Sequence, residues 1–328
     1  MKKFLLVDAS HLYHRAKHSV KGNDYDKAGF CLHLIFSCLG KVWRKYKSDH
    51  IVFAFDGNQY WRRELYSPYK KQRIEKAAKR SQEEKEEDDY FFEVFEVFKK
   101  FVTEKTNCTV LYHPKLEADD NIAGWVQSHP NDEHIIVSGD KDFEQLISSN
   151  VSLYDGIKDH LNTLTGVYDE RGHQVTDKFG TVLIPNPELS LFEKEVKGCT
   201  TDNIFSSSPG IRIKSSKNKV GLMEAFEDRN KKGFAWSAVM MNRWVDHNNI
   251  EHRTLDDYTR NVTLVDLKKQ PEEIKKIMNE TISSAIQKPH VPMVGIHFMK
   301  FCSKYELVKL GEMNKFYGEM LNKPYGTL

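Results

Sequence analysis

The chain has 328 residues, 39% of them hydrophobic and 29% charged, with a net charge of only +2. Nineteen Phe, 14 Tyr and 5 Trp give it enough apolar matter for one large or two moderate domains and exclude a disordered chain. No apolar run approaches the ~20 residues of a membrane helix, and the absence of a signal peptide and of any CxxC pair among Cys31, Cys38, Cys108, Cys199 and Cys302 predicts reduced thiols in a cytoplasmic protein that meets no membrane.

Phe4 to Val7 is a short apolar run that ends in Asp8. A helical pattern follows over Phe30 to Tyr46, and Ile51 to Phe55 is a second run, ending in Asp56. Residues 61 to 80 then carry Arg62, Arg63, Lys70, Lys71, Arg73, Lys76, Lys79 and Arg80 against Glu64 and Glu75. Glu83, Glu84, Glu86, Glu87, Asp88 and Asp89 come directly after. A basic block in a nearly neutral chain points to a local anionic partner, whereas the acidic run reads as a solvated face or a helix cap. Tyr90 to Phe101 is helical, Cys108 to Tyr112 a third strand, Ala118 to Val126 helical, and Ile135 to Val137 a fourth strand leading into Ser138-Gly139-Asp140. Short buried strands alternating with helices predict an α/β fold with a mainly parallel central sheet. Turn signals at Glu170-Arg171-Gly172 and Phe179-Gly180 predict a hairpin within 160 to 185. From 186 to 328 the pattern is helical, with turns at Pro209-Gly210 and Gly233. The expected organisation is therefore a catalytic domain over 1–185 and a helical domain over 186–328.

In an α/β sheet the loops after parallel strands meet along one edge, where sites form. Asp8, Asp56 and Asp140 each follow a predicted strand, and Glu117, Asp119 and Asp120 open the helix after the third strand. Asp142 lies two residues beyond Asp140. One acid at such a position is an ordinary cap or turn residue. Several in register are not, because two carboxylates about 5 Å apart repel by roughly 3 kcal/mol at an effective dielectric of 20. Cations must hold such a group together, and all-oxygen ligands favour magnesium, manganese or calcium over zinc. Two metals aligned on a phosphodiester are one hydrolytic use of that chemistry. A phosphatase using a nucleophilic Asp needs a second Asp two positions on, and Asp8-Ala9-Ser10 lacks it. The histidines form no HxxxH or HExxH pattern; His11 and His14 lie near Asp8 but read as packing groups. No P-loop or Ser/His/Asp motif occurs.

Asp8, Phe55-Asp56-Gly57, Glu117-Ala118-Asp119-Asp120, Ser138-Gly139-Asp140-Lys141-Asp142-Phe143 and Thr201-Asp202-Asn203-Ile204 occur in an order that resembles the flap-endonuclease and 5′-3′ exonuclease family. Tyr60-Trp61-Arg62-Arg63-Glu64 with Tyr69-Lys70-Lys71-Gln72-Arg73 is most similar to its bacteriophage ribonuclease H branch of the T-even type. The resemblance implies a PIN-like 5′ nuclease with a helical arch near 58–90 and a C-terminal region that binds duplex. It implies two Mg2+ ions, with Mn2+ as a substitute, on Asp8, Asp56, Glu117, Asp119, Asp120, Asp140, Asp142 and Asp202. Lys70 and Arg73 match arch residues that contact the scissile phosphate, and Tyr69 matches one that stacks on a base. Trp61, Arg62, Arg63 and Lys71 complete an expected clamp of cations and aromatic faces, which neutralises phosphates and accepts any base. Expected substrates are branched or nicked DNA and RNA–DNA hybrid, in the removal of RNA primers during replication. The replication clamp and single-strand-binding protein are implied partners of a monomeric enzyme in the cytoplasm, that of a host cell if phage-encoded.

Two departures from the family pattern stand out. Cys199 occupies the place of an acid three residues before Asp202, and thiolate is a poor magnesium ligand. After Ser208-Pro209-Gly210-Ile211, where small residues are usual, Arg212 and Lys214 follow. Lys214, Lys217 and Lys219 offer side-chain phosphate contacts in place of backbone amides. The alternative these departures support is a structure-specific DNA-binding protein that has lost catalysis. The retained acids argue against it, since an idle carboxylate cluster destabilises a fold with nothing to offset the repulsion.

Overall fold

A computed structural model describes residues 1–19, 24–217 and 219–326. The first elements are β1 (Lys3–Asp8), α1 (Ala9–Ser19), α2 (Asp24–Tyr46) and β2 (His50–Ala54). The basic segment forms α3 (Trp61–Leu65) and α4 (Lys71–Ala78), and α5 (Gln82–Glu104) follows. β3 (Thr109–Leu111), α6 (Ala118–Ser128) and β4 (Glu133–Val137) come next, then a 3-10 turn over Lys141–Leu146 and the strands β5 (Val151–Asp155), β6 (His160–Thr163) and β7 (Gly166–Tyr168). The remainder is α7 (Pro187–Lys197), α8 (Leu222–Asp228), α9 (Phe234–Met240), β8 (Arg243–Val245), β9 (Glu251–Arg253), α10 (Thr254–Val265), α11 (Glu272–Ile286), α12 (Val294–Lys304), α13 (Val308–Glu312) and α14 (Asn314–Leu321).

Seven strands form one sheet in the order β3-β2-β1-β4-β5-β6-β7. The first five are parallel neighbours, and β6 and β7 add antiparallel at one edge. The predicted hairpin is this edge, continued by bridges from Tyr168 to Gln174 and from Thr176 to Val182. Residues of β1 and β2 are buried on both faces, as helix-covered parallel strands must be. Leu5, Val7, Ile51 and Phe53 join one core with Phe36 of α2, Phe98 of α5, Phe298 of α12 and Tyr317 of α14. Phe4, on the opposite face, packs edge-on against Trp125 of α6. On the same helix, Gly124 admits Met278 and Ile282 of α11 so closely that a Cβ would meet them at 2.9 and 3.2 Å. The strand order reverses at β1: the chain steps outward to β2 and β3, then returns to β4 on the other side. That places Asp8 at the switch point.

The packing divides the chain into two compact units. One comprises Met1–Tyr60, Arg80–Pro185 and Lys275–Leu328; the other comprises Trp61–Lys79 and Asn186–Ile274. The core of the second unit gathers Phe192, Val196, Leu222, Ala225, Val239 and Met240. The proposed functional boundary at 185/186 is thus crossed by the packing: α12 to α14 cover the sheet of the first unit, and the basic segment belongs to the second. The expectation of helix throughout 186–328 needs one correction, the antiparallel hairpin β8–β9. Its strands are only three residues long, too short for a period of two to be read from sequence.

Candidate metal and nucleic-acid site

β1 ends in Asp8, which is 5% exposed, and its carboxylate is held at both oxygens. Oδ1 accepts the His11 backbone N–H at 3.0 Å and Oδ2 accepts the Ser138 hydroxyl at 2.9 Å. Ser138, just after β4, also receives the Asp140 N–H at 3.1 Å. Asp140 then caps the 3-10 turn through its Oδ1, which accepts the Asp142 N–H at 2.9 Å. Asp56 follows β2; its N–H donates to Ser10 Oγ at 2.9 Å, and its Oδ1 accepts the Ala118 N–H at the start of α6 at 2.8 Å. The intervening Gly57 lies so close to the His113 and Pro114 carbonyls that any side chain would collide with them. That contact presses the Asp56 turn onto the segment leading into α6.

Glu117 is the N-cap of α6 and forms a reciprocal capping box with Asp120. The Glu117 N–H donates to Asp120 Oδ2 at 3.2 Å. Glu117 and Asp120 are buried, and one carboxylate oxygen from each of Glu117, Asp119 and Asp120 lies within 4.8 Å of the others. A single cap needs one acceptor; three carboxylates exceed that need. The donor set is oxygen alone, which suits a hard divalent cation. Burial, then the charge of Asp56, push the Asp8 carboxyl up to about 8, with Asp140 adding to the repulsion against the two hydrogen bonds. A proton, or a cation in its place, is what this arrangement lacks for neutrality. The residues present therefore fit a divalent metal.

Ser10, Ser138, Arg15 and Asp155 are given no role in the sequence reading. Ser10 and Ser138 tie the Asp56 and Asp8 loops together, and Asp155 closes β5 as a further strand-end acid, 3.9 Å from Arg15. The guanidinium of Arg15 covers Gly139, where a Cβ would overlap it. The run Val151-Ser152-Leu153-Tyr154-Asp155 carries the same apolar-then-Asp signature as the strands that were recognised. His11 is half-buried with its Nε2 unpartnered and faces Gly139, and burial lowers its pKa.

Asp202 lies in the second unit, 8% exposed. Arg73 Nη2 is 3.0 Å and Lys70 Nζ 3.8 Å from its Oδ1. The Cys199 thiol donates to its Oδ2 at 3.7 Å and lies 3.0 Å from Thr201 Oγ1. Backbone bonds reinforce the pairing: Lys70 N–H donates to the Asp202 carbonyl at 2.8 Å, and Gln72 Nε2 donates to the carbonyls of Thr200 and Thr201. Lys70 takes a left-handed conformation, φ 52°, at the start of α4. Arg63 donates to the Tyr69 carbonyl at 3.3 Å, and Lys71 is exposed. Lys214, Lys217 and Lys219 are exposed in the loop before α8.

Three of the residues expected to contact nucleic acid are buried in the structure. Arg62 is 1% exposed and donates from Nε to the Leu264 carbonyl at 2.8 Å, so its guanidinium is spent inside the second unit. Trp61 and Tyr69 are each 3% exposed and present no open ring face. A long cation next to an aromatic reads as a surface clamp in sequence, but here the Arg62 guanidinium lies 4.6 Å from the Trp61 ring and is buried with it. The acidic run after residue 82 is a cap and a pairing surface. Ser81 and Glu84 form a capping box for α5, Asp88 pairs with Lys17 and Arg80, and Glu87 with Lys27.

The profile of the 5′-3′ exonuclease N-terminal, resolvase-like domain matches residues 3–180. The chain belongs to the 5′-3′ exonuclease family. Flap endonuclease Xni of Shewanella loihica is 28% identical over 178 residues, 53% of this chain and 62% of that protein. The 5′-3′ exonuclease of Mycoplasmopsis pulmonis is 27% identical over 229 residues, 69% of this chain and 68% of its own length. The chain thus spans less than two thirds of the length of that flap endonuclease. Among solved structures, the T5 5′-exonuclease with bound zinc ions shares the fold at a TM-score of 0.60 and 21% identity, covering 87% of this chain and 99% of the other. The bacteriophage T5 flap endonuclease in complex with DNA and metal ions has a TM-score of 0.59 at 21% identity, with coverage of 87% and 99%. The family's α/β fold with a mainly parallel sheet is thereby shown. Among the described residues, no helix is long and apolar enough to cross a membrane.

Proposed function

We propose that the chain is a metal-dependent, structure-specific 5′ nuclease that hydrolyses phosphodiesters in DNA and RNA–DNA hybrids where duplex meets single strand. The observation that carries this reading is the group of carboxylates of Glu117, Asp119 and Asp120 at the head of α6, together with Asp8 at the switch point, which burial and Asp56 push up to about 8. The zinc ions of the T5 5′-exonuclease and the DNA and metal ions of the T5 flap endonuclease support it by analogy of fold.

Two Mg2+ ions, replaceable by Mn2+, are the proposed cofactors. Asp8, Asp56, Glu117, Asp119, Asp120, Asp140, Asp142 and Asp202 would hold them directly or through water. Such ions, when bound, supply Lewis-acid charge to the attacking and leaving oxygens of a phosphodiester. The chain's own residues set up that chemistry. Ser138 and the His11 N–H fix both oxygens of Asp8, and Asp56 is aimed by Ser10 and the opening of α6. Lys70 and Arg73 bring positive charge for a scissile phosphate from the segment where they now neutralise Asp202. Arg63, Lys71, Lys214 and Lys217 would neutralise further phosphates without reading sequence. Residues 1–185 form the proposed catalytic region, with an arch near 58–90, and 186–328 the proposed duplex-binding region. The same reading includes action on RNA primers in replication, contact with the replication clamp and single-strand-binding protein, a monomeric state, a cytoplasmic location, and kinship with the T-even phage ribonuclease H branch.

The test is cleavage of a 5′-labelled flap and of an RNA–DNA hybrid in magnesium, manganese and EDTA, with Asp140→Asn beside the wild type. Metal-dependent cutting near the junction, reduced at least a hundredfold in the variant, is expected of a group that acts on the reacting phosphate. Tight binding with no cutting in either metal would instead favour the catalytically silent DNA-binding protein for which Cys199, in the place of an acid, is the supporting observation.

A further inference from the structure

The second unit contains a cavity of about 500 Å³ lined by side chains from α3, its following turn, the loop after α7, the hairpin β8–β9 and α10. No role assigned so far uses it. Its walls are flat: Tyr66 and Phe205 meet edge to face at 6.3 Å and 89°, and Trp244 stacks on His252 at 4.3 Å and 12°. Packing alone accounts for Trp244, whose Nε1 donates to the Ser207 carbonyl at 3.0 Å. It does not account for Phe205, which is 52% exposed at the cavity.

The polar groups around the cavity have a definite sense. Arg260 is committed: it pairs with Asp257, bonds Asn261, and lies 4.8 Å from the Tyr66 ring. Asp257 is occupied by Arg260 and by His252 Nδ1 at 3.1 Å. Asp246 is the acceptor with capacity left. Its Oδ1 accepts the turn N–H groups of Asn248 and Ile250, both at 2.8 Å, which keep the carboxyl below its ordinary range and ionised. Its Oδ2 is only 3.4 Å from Asn248 Nδ2 and 3.7 Å from His252 Nε2, a nitrogen buried with no hydrogen-bond partner. The site therefore offers aromatic faces, a committed cation and a fixed anionic acceptor. That combination repels a phosphate and suits a flat, uncharged ring whose edge donates hydrogen bonds.

We propose that this cavity binds a single unstacked nucleobase, with preference for guanine, whose neighbouring N1–H and N2–H donors match a carboxylate. The ring would lie against Phe205 and Tyr66, with the donating edge toward Asp246. A volume of about 500 Å³ falls within the usual size of a small-ligand pocket. Aromatic faces in nucleic-acid proteins hold splayed bases by stacking. The assignment rests on the nuclease reading only for the source of the base, an unpaired nucleotide of a bound strand; a free nucleotide presents the same chemistry.

The test uses the full chain in EDTA, so that binding is read without cutting. Guanosine monophosphate and uridine monophosphate are titrated by ligand-observed NMR, and a hairpin DNA with one unpaired guanine is compared with the same hairpin abasic at that position. Guanosine monophosphate is expected to bind at least tenfold more tightly than uridine monophosphate, and the hairpin to lose about tenfold in affinity when abasic. Phe205→Ala and Asp246→Asn should each reduce binding of the guanine probes about tenfold; the latter keeps an Oδ1 acceptor for the turn, and unchanged thermal unfolding verifies both folds. Binding of the mononucleotide with indifference to the abasic change supports the base site and assigns it to free nucleotides. Equal affinity for the two mononucleotides together with indifference to the abasic change, or indifference to both substitutions, overturns the proposal. Guanine binding in EDTA by a protein that cuts neither flap nor hybrid in magnesium or manganese would refute the nuclease reading alone.

Discussion

At the scale of single residues, Asp8 shows how an acid site is made. A carboxyl buried beside Asp56 is pushed up to about 8, yet two donors from the chain partly stabilise its anion. Ser138→Ala removes one of them, and with it the acceptor of the Asp140 N–H. A hydrogen bond to a charged group contributes about 1.5–3 kcal/mol, so the variant should bind Mg2+ or Mn2+ about tenfold more weakly, read by calorimetry. The sign of the pH dependence follows from the same shift. The raised carboxyl keeps its proton until the pH approaches 8, and a metal must displace it. Metal affinity should therefore climb by up to about tenfold per unit between pH 6 and 8 and level off above. Affinity that falls over that interval would show that Asp8 is not a ligand. Arg62 teaches the opposite lesson. Its sequence neighbours made it a phosphate contact, and only its Nε bond to the Leu264 carbonyl, a residue 202 positions away, reveals it as internal.

At the scale of elements, α5 joins a solvated start to a buried end. Its first turns carry the capping box of Ser81 and Glu84, while Phe91, Val94, Phe95 and Phe98 enter the core. The change from charge to aromatic periodicity was legible, and so was the helix over Tyr90 to Phe101. Its C-terminal finish was not. Lys288 reaches back to donate to the carbonyls of Val102, Thr106 and Cys108 at 3.3, 2.7 and 3.2 Å, and burial lowers its pKa. The Val102 carbonyl also accepts the Thr106 hydroxyl at 2.7 Å, so Lys288 adds a second donor there while tying down the carbonyls beyond the last turn. Lys288→Met keeps the aliphatic stem and should cost about 2 kcal/mol, seen as a lower midpoint in urea unfolding. No change in midpoint would mean that water satisfies those carbonyls equally well. β8 and β9 escaped prediction because strands of three residues carry too little pattern. β8 nonetheless supplies Trp244 and the turn that joins it to β9 supplies Asp246, so the least legible hairpin bears the cavity's acceptor.

At the scale of the molecule, one buried group in each unit illustrates opposite pH dependences. His50, in β2 of the first unit, is lowered to about 4 by burial, although its Nδ1 bonds the Lys323 carbonyl. The unfolded chain takes up this proton first, near 6.5, so His50's contribution is complete above 6.5 and is lost as pH falls toward 4. Glu195, in the second unit, is raised to about 7, chiefly by burial and against the Tyr258 hydroxyl bond. Its contribution is complete below the ordinary glutamate value near 4.5 and is lost as pH rises through 7. Each shift amounts to a few kcal/mol, on the order of 3. Asp8, also in the first unit and raised to about 8, opposes His50 over this range, so the clean readout is the second unit, whose hydrogen-exchange protection, resolved by segment, should fall between pH 5 and 6.5. Glu195→Gln should flatten that response; an unchanged slope in the variant would contradict the assignment.

The α/β class, the parallel strands and the acids that end them could be read from the chain, because burial on both faces demands apolar runs and a metal demands oxygen ligands at strand ends. Local composition enforces both conditions wherever they occur. The strand order, the reversal at β1 and the two serines that join the Asp8 loop to those of Asp56 and Asp140 depend on contacts between residues tens of positions apart. So does the return of α12 to α14 to the first unit's sheet. The same holds for which cations face solvent: exposure belongs to the packed molecule, and Arg62 and Lys217 look alike until the fold buries one of them.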